Sequence, residues 1–150
     1  MLSRKPLFFL LLIFASLIAA VGSGENNDEA LVIRVIDGDT IVLEDGRRVR
    51  YIGIDTPEKR DPYYFEAKEV NKRLVEGKKV RLEYDVGKKD KFGRTLAYVY
   101  VGDIFVNTEL VKNGYAVIYT VPPNVKYAEN FLKHQQDARK AKRGLWGLNP

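Results

Sequence analysis

The sequence predicts an α+β fold that is mainly β, a five-stranded barrel of the OB type with three helices. Two observations carry that expectation. Short β-branched and aromatic runs recur in the order three strands, helix, two strands, helix, helix, with turn dipeptides between neighbouring strands. The chain has 150 residues, 45% of them apolar and 30% charged, which is room for one core of ordinary composition and excludes wholesale disorder or a collagen-like repeat. A five-stranded sheet capped by helices without closing would leave nearly the same pattern, so closure is the point the pattern leaves open.

The elements follow in chain order. Leu31 to Ile36 (LVIRVI) is β-branched and mostly apolar, Asp37-Gly38-Asp39-Thr40 interrupts it, and Ile41 to Leu43 resumes the strand character. Asp45-Gly46 is a hairpin signal leading into a third strand, Arg48 to Ile54. Pro62 opens a segment in which Ala67, Val70, Leu74 and Val75 fall at helical spacing and Gly77 lies just past the end, predicting a helix over Tyr63 to Glu76. Lys79 to Asp85 (KVRLEYD) alternates with period two, a half-buried strand with Val80, Leu82 and Tyr84 inward. Thr95 to Val101 and Ile104 to Val106, joined by Gly102-Asp103, read as a further hairpin. Asn107 is a candidate N-cap for a short helix ending at Asn113-Gly114, and Tyr115 to Val121 returns to apolar and aromatic character. The last helix is expected from about Val125 to Arg143, with Ala128, Phe131, Leu132, Gln135 and Ala138 on one face, after which Leu145-Trp146 folds back.

The N-terminus stands apart. Arg4 and Lys5 precede the uninterrupted apolar run Leu7 to Val21, and Gly22, Ser23 and Gly24 follow, so residues 1–24 match a secretory signal peptide or, if retained, an N-terminal membrane anchor. Either way the domain is delivered outside the cytoplasm, secreted or anchored through residues 7–21. Residues 25–29 (ENNDE) form a short polar linker, and the globular domain is expected over 30–150. Removing residues 1–24 takes away two basic residues and no acids, which lowers the net charge from +5 to +3. That mild basic bias suits a polyanionic partner.

Composition also limits the chemistry. With no Cys there is no disulfide scaffold, thiolate metal site or Cys nucleophile. The single His, His134, gives a Ser-His-Asp triad almost no material, and a solvated helix face is the ordinary reading of it. Catalysis must rest on carboxylates, Arg, Lys and Tyr. Three polar clusters at strand ends supply them: Asp37-Gly38-Asp39-Thr40; Arg50 with Asp55-Thr56-Pro57-Glu58; and Asp90-Lys91-Phe92-Gly93-Arg94. Each alone reads as well as a turn, a strand exit or a charged hairpin loop. Together, Asp39 and Asp55 offer hard oxygen ligands for a cation, Glu58 a free carboxylate, and Arg50 and Arg94 two planar forks suited to phosphate. Those are the parts needed for phosphodiester hydrolysis.

With those clusters in view the chain resembles the thermonuclease family, the staphylococcal nuclease-like calcium-dependent nucleases. The resemblance rests on VIDGDT (Val35 to Thr40), RYIGIDTPE (Arg50 to Glu58), DKFGRTLAYVY (Asp90 to Tyr100) and VNTELVKNGYA (Val106 to Ala116), in the family's order and spanning about residues 31–148. It implies an OB-type barrel with three helices. It also implies that Asp39, Asp55 and the backbone carbonyl of Thr56 bind Ca²⁺, that Arg50, Glu58 and Arg94 form the catalytic trio, and that the substrates are DNA and RNA, single-stranded or locally open, cut to leave 3′-phosphates. Lys91 matches a substrate-phosphate contact. Tyr119 aligns with an aromatic that stacks on a base, while core packing is the alternative for both Tyr119 and Tyr115. Two departures stand out: the loop between Glu58 and the helix near Pro62 is shorter than in the staphylococcal enzyme, and Phe92 stands where that enzyme has Tyr, removing a hydroxyl. The basic run Arg139, Lys140, Lys142 and Arg143 either tracks a phosphate backbone or answers the helix dipole, and the second reading is the more economical. Two competing functions remain to be weighed: a non-catalytic nucleic-acid-binding module on the same fold, which has no need of all five site residues, and a calcium-dependent scaffold for acidic lipid or polysaccharide, which leaves the paired arginines unexplained.

Overall fold

The structure is a computed structural model that describes residues 28–148. The expected signal or anchor segment and residues 25–27 lie outside the described residues. Eight strands and three α-helices follow one another as β1 (Asp28–Val35), β2 (Thr40–Leu43), β3 (Arg48–Tyr51), β4 (Gly53–Asp55), α1 (Tyr64–Val75), β5 (Lys79–Glu83), β6 (Thr95–Val101), β7 (Ile104–Phe105), α2 (Val106–Lys112), β8 (Val117–Tyr119) and α3 (Ala128–Lys140), with a 3₁₀ turn at Gly144–Gly147.

The sheet closes. Its order is β3-β2-β1-β5-β6, with β7 added on β6, and β3 pairs back onto β6 so that five strands form a barrel. The closing pair is parallel, Val49 opposite Thr95 and Tyr51 opposite Ala97, whereas the other barrel pairs are antiparallel. Parallel neighbours need a long crossover, and here α1 and β5 provide it. Alternation fills the interior as the sequence implies: Val32, Ile41, Leu43, Val49, Tyr51, Val80, Leu82, Ala97 and Val99 are buried, joined by Leu110 and Val111 from α2 and Phe131 from α3. Full burial of each such aliphatic or aromatic side chain contributes roughly 1.5–3 kcal/mol before conformational entropy is charged against it.

Four local expectations change. Asp28 and Glu29, read as linker, belong to β1, because Asp28 accepts hydrogen bonds from Arg47 Nη2 at 2.8 Å and from the Tyr84 hydroxyl, which anchors the strand's first residue. The third strand does not run through to Ile54. It breaks after Tyr51, and Gly53, at φ +80°, starts a separate short strand paired with β8. A side chain at Gly53 would sit 2.6 Å from the Phe131 ring, so glycine is required there both by dihedral and by space. Asn107 does not cap α2 but lies inside it, fully buried, accepting from Val99 N–H at 3.0 Å and donating to Ile52 C=O at 2.9 Å, and so ties the barrel wall to the helix. Leu132, expected on the inner face of α3, is 42% exposed, while Phe131, Gln135 and Ala138 are buried.

The basic C-terminal run is engaged in part within the domain: the Arg139 guanidinium lies 4.2 Å over the Trp146 ring, and Arg143 donates to Lys112 C=O at 3.1 Å.

Candidate active site

The site is assembled where β1 turns into β2 and β3 passes into β4. In the β1–β2 turn, Asp37 Oδ1 accepts from Asp39 N–H at 3.1 Å, an Asx turn that points the Asp39 carboxylate across to the β4 exit. Gly38 makes that approach possible, since a Cβ there would lie 2.7 Å from Thr56. Asp39 is only 5% exposed. Its Oδ2 accepts from Thr56 N–H at 2.8 Å and Thr56 Oγ1 at 2.9 Å, and its Oδ1 from Thr40 Oγ1 at 3.1 Å.

Arg50 joins the two carboxylates. Its Nε lies 3.1 Å from Asp39 Oδ1 and its Nη2 2.8 Å from Asp55 Oδ1, while Nη1 donates to Tyr51 C=O at 2.6 Å and Ile54 C=O at 2.7 Å. The β3–β4 break supplies those two carbonyls, so the irregularity in the strand is what clamps the guanidinium. Burial pushes the Asp39 carboxyl up to about 6, against the pull of the Arg50 charge and with Asp37 adding to the rise.

Arg94 comes from the β5–β6 loop. Asp90 organises that loop by accepting from Phe92 N–H and Arg94 N–H, both at 2.9 Å, and from Arg94 Nε at 2.6 Å. Although burial opposes it, the hydrogen bonds from Arg94 hold the Asp90 carboxyl below the usual carboxylate range. Phe92 is 72% exposed, with Lys91 Nζ 5.1 Å and the Arg94 guanidinium 5.5 Å from its ring centre, so the ring without a hydroxyl still groups the two cations.

A cavity of about 440 Å³ is lined by Arg50, Arg94, Lys91, Phe92 and Tyr119. The structure thus brings four of the expected residues, from three separate segments, to line one cavity. Tyr119 is 58% exposed on β8 and does not pack in the core, whereas Tyr115 is half-buried with its ring 6.3 Å from that of Tyr63. Glu58 is placed differently. Its exposed side chain lines an adjoining cleft of about 280 Å³ with Asp55, Thr56 and Asp61, and its backbone is held by Asp61, which accepts from Glu58 N–H at 3.0 Å and donates its own N–H to Glu58 C=O at 2.8 Å. Asp55, bonded to Arg50, joins the two clefts.

The residue that sequence reading missed is Asn71. It is fully buried on α1, accepts from the Tyr51 hydroxyl at 2.8 Å and donates to Asp37 C=O at 3.0 Å, and so pins the β1–β2 turn to the helix. The signal was present: Asn71 falls between Ala67 and Val75 on the buried stripe of α1, where a polar residue needs partners.

Among the described residues no group of three or more His, Cys, Asp or Glu converges at metal-binding spacing. A cation at this site would have two carboxylates, Asp39 and Asp55, and the Thr56 carbonyl. That all-oxygen set fits a hard ion, and the incompletely neutralised buried charge of Asp39 beside Asp37 favours one.

The pattern of the family described as staphylococcal nuclease homologue matches residues 48–147. The chain belongs to the staphylococcal nuclease family. Within that family it is 44% identical over 133 residues to a thermonuclease of Staphylococcus hyicus, covering 83% of this chain and 79% of the relative. A thermonuclease of Staphylococcus intermedius is 46% identical over 125 residues, 77% of this chain and 74% of the relative. Endonuclease YncB of Bacillus subtilis is 44% identical over 124 residues, 75% of this chain and 59% of that longer protein. The closed barrel with three helices agrees with this family membership.

Proposed function

We propose that this staphylococcal nuclease family member is a Ca²⁺-dependent endonuclease, secreted or surface-anchored, that hydrolyses DNA and RNA with little sequence specificity and leaves 3′-phosphate ends. Family membership and the thermonuclease and endonuclease relatives support phosphodiester hydrolysis. The observation that carries the finer reading is the single hydrogen-bonded group of Asp39, Arg50, Asp55 and Thr56 at the edge of a cavity that Arg94 also lines.

Asp39, Asp55 and the Thr56 carbonyl would hold the ion, which when bound supplies charge neutralisation at a phosphate oxygen and ordered water. Arg50 and Arg94 bind the scissile phosphate and stabilise the charge that builds on its oxygens as phosphorus becomes five-coordinate. Glu58 orients the attacking water and takes its proton as the new P–O bond forms. The bond to the 5′ oxygen breaks, and that oxygen gains a proton to leave as a hydroxyl. Lys91 contacts a neighbouring phosphate, and Tyr119 offers its exposed ring to a base. Secretion or anchoring rests on residues 1–24 alone.

The test is a gel assay of the purified protein on single-stranded DNA, duplex DNA and RNA, with Ca²⁺, with Mg²⁺ and with chelator. Cleavage that requires Ca²⁺ and yields 3′-phosphates is expected. Binding without cleavage under every metal would establish the non-catalytic module instead.

A pH dependence follows from Asp39. The ion competes with a proton on a carboxyl whose value lies near 6, so Ca²⁺ affinity is expected to fall about tenfold per unit as pH drops below that value and to level off above about 7. The linked stability has a definite sign. A folded-state value above the ordinary 3.8 means the cation-free protein loses stability as pH rises from about 4 through 6, because the folded state holds the proton more tightly than the unfolded state does. Calcium should therefore raise the melting temperature more at pH 7 than at pH 5, which differential scanning calorimetry would show.

A further inference from the structure

The outer face of β1–β2–β3 carries a second group of cations that the site above does not use. In the strand register Arg34 lies opposite Val42 and Val42 opposite Arg48, so these side chains form one row across three strands on one face. The neighbouring row on that face contains Thr40 opposite Arg50. Two residues along a strand separate the rows, about 7 Å. A register shift between Val32 and Arg34 leaves Ile33 and Arg34 both exposed, so the bulge is what turns Arg34 onto this face. Lys68 reaches the same place from α1, and Arg34, Arg48 and Lys68 share a cavity of about 330 Å³ with Val35 and Ile36.

The two rows differ in charge balance. Arg50 is bonded to Asp39 and Asp55. Among the described residues Arg34, Arg48 and Lys68 take part in no ion pair. Glu76, which reaches the same strand, is committed to Val35 N–H at 3.3 Å and to Lys72 at 3.9 Å. Three uncompensated cations around a concave surface, one strand step from the arginine proposed to hold the scissile phosphate, form a ready anion site with two planar forks.

We propose that Arg34, Arg48 and Lys68 form a subsite for a backbone phosphate of the substrate strand beyond the one being cleaved, so that the protein favours chains over the smallest substrates. This rests on the reading of the chain as a nuclease. The subsite is non-specific for base, since its contacts are charge and fork geometry alone.

The test uses the triple variant Arg34→Gln, Arg48→Gln, Lys68→Gln. Binding of a fluorescent single-stranded oligonucleotide of about a dozen nucleotides is titrated against salt in chelator, where no cleavage occurs. Loss of one phosphate contact predicts a log Kd against log salt slope shallower by about 0.7, the value per neutralised phosphate on single strands. With Ca²⁺, KM for the oligonucleotide should rise about tenfold or more with kcat unchanged, while kcat/KM for a dinucleotide stays at the parent value. The Arg34→Lys, Arg48→Lys pair, which keeps the charges, should retain most of the slope. An unchanged slope and KM would overturn the proposal, as would an equal loss on the dinucleotide, which would place the effect in the reaction centre. A protein that cleaves nothing under any metal would overturn the nuclease reading, but the salt slope in chelator would still decide the subsite.

Discussion

Arg50→Lys is expected to lower kcat/KM by at least about 10²-fold and to destabilise the protein at the same time. The catalytic part follows from geometry: an ammonium on a flexible stem cannot reproduce the planar guanidinium charge that the site holds in place. The stability part follows from the bonds Arg50 makes in the absence of substrate. Its guanidinium satisfies the Tyr51 and Ile54 carbonyls at the strand break and pairs with Asp39 and Asp55. A lysine reaches one or two of these four groups, and each buried acceptor left without a partner costs roughly 1–3 kcal/mol. Arg94→Lys provides the contrast. Its side chain makes one ion pair, with Asp90, on a partly exposed loop, so a similar loss of rate is expected with little change in stability. Steady-state kinetics on an oligonucleotide together with urea unfolding separates the two. Near-full activity in either variant would remove that arginine from the catalytic group, and an Arg50 variant as stable as the parent would mean the clamp contributes nothing to the fold.

Glu58→Ala is expected to lower kcat by about 10²–10⁴-fold, the range for removing a positioned acid or base, while leaving stability within about 0.5 kcal/mol. The Glu58 side chain is exposed and makes no hydrogen bond among the described residues. The loop around it is held through its backbone by Asp61, which alanine leaves intact. Activity and stability therefore come apart at this position, as they do not at Arg50. A variant that retains its rate would show that the water is activated elsewhere. A variant that unfolds early would show that the carboxylate carries structure.

The element order and core faces were legible because period-two and period-3.6 patterns report burial directly: Val80 and Leu82 alternate inward in β5, and Ala67 and Val75 mark the inner stripe of α1. The candidate site residues stood out for a different reason, that their types cluster at strand ends in three short segments. What the pattern hid were contacts between segments far apart in the chain. Asn107 reads locally as a helix cap, yet its partners are Val99 and Ile52, one of them 55 residues away. Asn71 reads as a polar interruption of an apolar stripe until Tyr51 and Asp37 are set beside it.

By itself, then, the sequence determined the order of the five barrel strands and three helices, most of the core faces, and the presence of two arginines and three carboxylates at strand ends. Only the tertiary structure decided barrel closure, because the parallel β3–β6 pair depends on a crossover that no local signal encodes. Tertiary structure alone also decided the break after Tyr51 that clamps Arg50, the union of Asp39 with Thr56 across a Gly38 that has no room for a side chain, and the row of Arg34 and Arg48 on one face. Each is a relation between segments, set by strand register and close packing, and a one-dimensional pattern carries neither.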